Sequence, residues 1–178
     1  MSARLPTVAQ LQAGVSADQA AELFDSLPAV QVEEILGRWH GSEVPTGHPM
    51  DGLLEVSGWY GKEFVDAERV HPLLFGTPGS LYAVHPKRLP LMSIVAAGDR
   101  LPRWLPPGGR SAFRALRTGK YRARLRRVEY RGVVSTAMIY DDLPIIDTFR
   151  KLDDDVLLGA MDLRGVEAPY FFLLERDR

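Results

Sequence analysis

The sequence predicts a mainly β protein, an antiparallel β-barrel preceded by short N-terminal helices and interrupted by helical or irregular crossovers. Three observations predict it. About sixty residues at the C-terminal end divide into five runs of strand-forming residues separated by tight-turn signals. Where the alternation is clearest, Tyr121, Ala123 and Leu125 interleave with Arg122, Arg124 and Arg126, so one face is apolar and the other basic. A sheet of that extent with one apolar face must curl around a core or meet a second layer, and closing into a barrel also removes its exposed edges.

The 178 residues, 46% of them hydrophobic, suffice for one continuous core, so residues 1–178 are read as a single domain. Within it, residues 15–85 form a first segment and residues 119–178 the β-meander. The first dozen residues show no clear period and are expected to drape over the surface. Ser16 and Gln19 have the spacing of a capping box, and Ala20, Leu23, Phe24 and Leu27 recur at helical intervals. That predicts an amphipathic helix stopped by Pro28. Val32, Ile35 and Leu36 predict a second helical turn ended by Gly37. From Gly37 to Gly41 the period of two takes over.

Residues 45–79 are dense in Gly and Pro, which limits any regular element there, although residues 50–56 are compatible with one or two helical turns. A second irregular zone, residues 89–109, contains Pro90, Pro102, Pro106 and Pro107. Both zones read as lids or crossovers. The meander then runs through the Arg131-Gly132 turn, a strand at residues 133–140, another at 145–152, the Asp153-Asp154-Asp155 turn, a strand at 156–163, the Arg164-Gly165 turn and a strand at 170–175.

Composition excludes several chemistries. There is no cysteine, so disulfides, thiolate metal sites and cysteine nucleophiles are ruled out. No Walker loop, dinucleotide-binding glycine loop or Gly-x-Ser-x-Gly elbow is present. His40, His48, His71 and His85 include no pair at i, i+4, so neither a metal site nor a cofactor is expected. No run of apolar residues is long enough to cross a membrane, and Met1 to Gln10 lacks the charged and apolar regions of a signal peptide; a cytoplasmic protein is expected.

A net charge of −1 argues against nucleic acid as a partner, yet charge is unevenly spread. Between residues 110 and 131 lie Arg110, Arg114, Arg117, Lys120, Arg122, Arg124, Arg126, Arg127 and Arg131, against the single acid Glu129. One reading is a solvated face balanced by Asp141, Asp142 and the Asp153-Asp154-Asp155 run. The other is peripheral contact with an anionic membrane or phosphate.

The segment Gly37-Arg38-Trp39-His40-Gly41, with Trp59-Tyr60-Gly61-Lys62-x-Phe64 and Pro72-Leu73-Leu74, resembles the GXWXG family. Pro144-Ile145-x-Asp147-x-Phe149-Arg150, Leu157-Leu158-Gly159-x-Met161-Asp162 and Phe171-Phe172-x-Leu174-Glu175-Arg176 resemble the domain of unknown function that accompanies it. The resemblance implies a calycin-like barrel, of the lipocalin and fatty-acid-binding kind, with phospholipid or fatty-acyl binding.

On that reading the chain is a carrier or sensor for a lipid or other apolar small molecule, alone or as a homodimer. Apolar tails are expected along Trp39, Trp59, Phe64, Met138, Tyr140, Phe149 and Met161. The headgroup would meet Arg150, oriented by Asp162, or the basic strand near Arg124. Trp39 also suits core packing, as a plug for one barrel end, and an Arg150–Asp162 pair also suits a structural salt bridge. Two rival expectations are haem held by His40, His71 or His85 in the manner of nitrobindins, and hydrolysis of a hydrophobic ester or epoxide by Asp147 and Asp162 with Tyr140.

Overall fold

The computed structural model describes residues 5–90, 93 and 108–178; Pro102, Pro106 and Pro107 of the second irregular zone lie outside the described residues. Nine strands are present among those described: β1 (Gly37–Glu43), β2 (Trp59–Phe64), β3 (Val70–Phe75), β4 (Tyr82–Ala83), β5 (Ala123–Tyr130), β6 (Val133–Tyr140), β7 (Ile145–Lys151), β8 (Val156–Leu163) and β9 (Tyr170–Arg176). All pairings are antiparallel, in the order β2-β1-β9-β8-β7-β6-β5-β3-β4. A further β2–β3 pairing joins the sheet back on itself, so eight strands form a closed ring and β4 hangs on β3.

The five-strand meander agrees with the sequence expectation to within a residue or two at most ends. Its tightest link is Arg131-Gly132, where both residues have positive φ (52° and 76°) while Tyr130 pairs with Val133. Such a two-residue primed turn matches the right-handed twist of the strands it joins.

Strand alternation sorts most buried side chains into two cores, beside a small third cluster of Tyr60, Leu74 and Ala83. Trp39, Phe64, Leu125, Met138, Phe149 and Phe172 belong to a buried cluster inside the ring. Phe24, Leu158, Phe171 and Leu173 belong to a second cluster, between the outer face of β8–β9 and the N-terminal helices. β8 and β9 are therefore apolar on both faces. The helix that covers them, α2 (Ala17–Ser26), begins as the spacing predicts: Gln19 N–H donates to Ser16 Oγ at 3.1 Å and Ser16 N–H to Gln19 Oε1 at 3.0 Å. α3 (Val32–Ile35) follows, and Arg176 donates to the carbonyls of Glu34 and Leu36 at its end.

Two regions depart from expectation. Within the first dozen residues, expected to drape over the surface, α1 (Val8–Gln12) forms with its own capping box, Thr7 with Gln10, and buries Leu11 in the outer core. Residues 45–79 are not merely crossover: besides α4 (Leu53–Ser57), they supply β2 and β3, two walls of the ring. Register shifts between Trp59 and Gly61 and between Gly61 and Glu63 break the alternation. Gly61 pairs with Leu74 and Glu63 with His71, so Pro72 and Leu73 share one position opposite Lys62. Pro72, which has no N–H to give a ladder, sits in that bulge.

Two glycines, Gly41 on β1 and Gly61 on β2, have packing reasons. A Cβ on Gly41 would stand 2.1 Å from the Trp59 ring, and one on Gly61, whose φ is 153°, would stand 1.9 Å from the Trp39 carbonyl oxygen. No helix among the described residues is long and apolar enough to cross a membrane.

Candidate functional site

One end of the ring is filled and the other is hollow. At the filled end Trp39 is fully buried, donates from Nε1 to Ile35 O at 2.7 Å and carries the Arg176 guanidinium 4.2 Å above its ring. Phe64 and Phe149 meet edge to face at 5.7 Å, and Met138 is fully buried. At the other end lies a cavity of about 300 Å³, walled by Trp59, Leu73, Phe75, Tyr140, Met161 and Phe172 of the strands and by Met50, Leu53, Leu54, Leu89, Pro90 and Phe113 of the crossovers. Hollows of about 420 and 440 Å³ beside Arg38 and beside His40 are larger, but their walls are mixed polar and apolar.

Within these apolar walls stand Lys62 and Asp147, with side chains 3% and 2% exposed and Nζ 2.9 Å from Oδ2. The β2 distortions place Lys62 there. Strict alternation counted from inward Trp59 would send Lys62 outward, and the register shifts reverse it. The Pro72 bulge then supplies a carbonyl that accepts from Nζ at 3.2 Å, and Tyr140 Oη accepts at 3.4 Å. The faces of Phe172, Trp59 and Tyr140 surround the ammonium at 5.1–5.6 Å. Asp147 follows from simple alternation, sharing the inward face of β7 with Ile145 and Phe149.

Burial pushes the Asp147 carboxyl above the ordinary aspartate range, and Lys62 opposes that push. Burial first, and the charge of Asp147 second, raise the Tyr140 phenol well above its usual value, so near neutral pH it keeps its proton. Two wall atoms have no hydrogen-bond partner: Asp147 Oδ1 and Trp59 Nε1. Each such orphan costs about 1–3 kcal/mol in a buried setting.

Of the residues expected to bind ligand, Trp59, Tyr140 and Met161 line the cavity, whereas Trp39, Phe64, Met138 and Phe149 pack the filled end beneath it. Three lie on the outer side. Arg124 is an exposed partner of Asp141 at 2.6 Å. Arg150 is fully buried beneath α2, its guanidinium 4.6 Å over Phe24 and donating to Tyr130 O at 3.0 Å. Asp162 follows inward Met161 and so faces out; it pairs with Ile146 while Arg150 pairs with Leu158, about 13 Å along the strands. Arg150 and Asp162 thus form neither a headgroup site nor a salt bridge with each other, because both lie outside the ring and far apart. The two-carboxylate hydrolase arrangement is likewise not formed, since Asp147 and Asp162 occupy opposite faces.

No histidine lines the cavity: His40 packs on Tyr60 and His71 on Tyr121 outside it, and residues 91–107 contain none. The haem expectation therefore has no axial ligand there. In the basic segment, Arg122, Arg124, Arg126 and Arg131 pair with Asp142, Asp141, Glu68 and Asp25.

Residues 22–79 match the GXWXG protein family, and residues 121–176 match a domain of unknown function, DUF4334. A crystal structure of a protein from Thermomonospora curvata is similar, with 35% sequence identity and a TM-score of 0.68 over 93% of this chain and 90% of that one. No curated protein matches the chain.

Proposed function

The chain belongs to the family that joins a GXWXG segment to a DUF4334 domain, and from that premise we propose that it is a non-enzymatic carrier or sensor holding a lipid-like ligand inside a calycin-like barrel. The observation that carries the proposal is the apolar cavity of about 300 Å³ at the open end of the eight-strand ring. Ligand pockets run from about 300 to 1,000 Å³, so this one suits a single acyl or alkyl chain better than the two chains of a phospholipid. The calycin reading is supported by the ring closure and by the strand-after-strand order of β5 to β9.

Native mass spectrometry of the purified protein, followed by organic extraction, tests this directly. A released single-chain lipid, or saturable binding of a fluorescent acyl probe, is the expected result. Met161 lines the cavity, so Met161→Trp should fill it and weaken the probe by about tenfold or more, the loss of roughly 1.4 kcal/mol of binding. Neither co-purifying lipid nor probe binding by the folded protein would end the proposal.

A further inference from the structure

Among the described residues that line the cavity, Lys62, Asp147 and Tyr140 form a polar cluster in a mostly apolar wall, and that cluster is incompletely bonded. Lys62 is held on its protein side by Asp147 Oδ2, Pro72 O and Tyr140 Oη. On the same wall, Asp147 Oδ1 lacks a donor and Trp59 Nε1 lacks an acceptor. The two residues are neighbours through Lys62, whose Nζ lies 2.9 Å from the carboxylate and 5.5 Å from the Trp59 ring centre. Buried polar atoms are satisfied in the great majority of folded proteins, by water or ligand where the chain itself offers nothing. Here one acceptor and one donor without partners belong to two residues that line the same largely apolar cavity.

We infer that the ligand's head is a neutral group that both donates and accepts a hydrogen bond, an aliphatic alcohol or primary amide, seated between Asp147 and Trp59. The inference rests on the reading of the cavity as a lipid-type site. Lys62 is already neutralised by Asp147, so a carboxylate head would put a second anion beside one ammonium and would offer Oδ1 no proton. An ether or ester fills the same volume and accepts from Trp59, yet it too leaves Oδ1 bare. The head is therefore selected by its hydrogen, not by charge.

Octanol and its isomer heptyl methyl ether separate the donor from size and hydrophobicity, with octanoate as the charged comparison. Affinities are read by displacement of a fluorescent acyl probe from the full chain near neutral pH. Octanol is expected to bind about tenfold or more tighter than the ether, since hydrogen bonds to charged acceptors are worth that much. In Asp147→Leu combined with Lys62→Met, which replaces the buried pair by apolar residues, the two isomers should bind alike. Equal binding of the isomers to the wild type, octanoate binding more tightly than octanol, or a preference that survives in the folded double variant overturns the inference while the cavity reading stands. Should the double variant not fold, the wild-type comparison decides alone. If the probe and all three ligands fail to bind, the cavity reading falls, and this inference falls with it.

Discussion

Lys62 shows how one side chain couples fold to site. It is 3% exposed, its charge is met by Asp147, and its position depends on a strand distortion. Lys62→Met would leave a buried carboxylate without its cation, at a cost of about 3–5 kcal/mol near neutral pH. Asp147 already takes up its proton above the ordinary range, and losing Lys62, which pulls it down, moves it higher. A carboxyl raised in the folded state contributes stability that is fully present below its unfolded pKa and is lost as pH rises through the folded one. Urea midpoints should therefore show the variant's deficit narrowing on mild acidification, and a deficit independent of pH would contradict the assignment. Gly41→Ala is a second test, since its methyl would collide with the Trp59 ring. Overpacking of this kind costs about 1–3 kcal/mol, and the near-ultraviolet signal of the tryptophans should change with it. The inward turn of Asp147 was readable by counting along β7. That of Lys62 was not, because a two-residue count gives the wrong face once a strand is bulged.

Helix α2 and strand β7 illustrate what local pattern can and cannot reveal. The Ser16/Gln19 spacing located α2 from the sequence, and Ser16→Ala should cost about 1 kcal/mol in urea unfolding through loss of its cap. The same spacing at Thr7 and Gln10 marks α1 and went unread, since five residues carry too little apolar periodicity to draw notice. β5 to β9 were legible because their turns are short and their runs long. β2 and β3 were not, because Gly61 and Pro72 are the residues that ordinarily end strands, and here they sit within paired bulges. Arg150 was expected to meet a ligand headgroup or to pair with Asp162, but its partners are Phe24 and Tyr130, which only tertiary packing brings to it. Arg150→Met is therefore expected to lower stability by about 2 kcal/mol through loss of charged hydrogen bonds while leaving probe affinity unchanged. A loss of affinity at full stability would instead restore a headgroup role.

The ring as a whole is unevenly joined. β5 and β6 pair along their entire length, as do most of β7, β8 and β9, whereas β3 meets β5 at the single pair Val70–Ala123. Hydrogen exchange should accordingly be slowest in β8 and β9, buried on both faces, and fastest among the strands at the β3–β5 seam. Uniform protection around the ring would contradict that gradient. The β1–β9 pairing, Trp39 against Arg176, has a different kind of consequence. Most of the described chain separates these two partners, so during translation the tryptophan motif emerges on the order of ten seconds before the strand that will shelter it. For that interval the nascent polypeptide carries an adhesive, half-made surface, and the ribosome must deliver β9 before the opening motif is safe from aggregation.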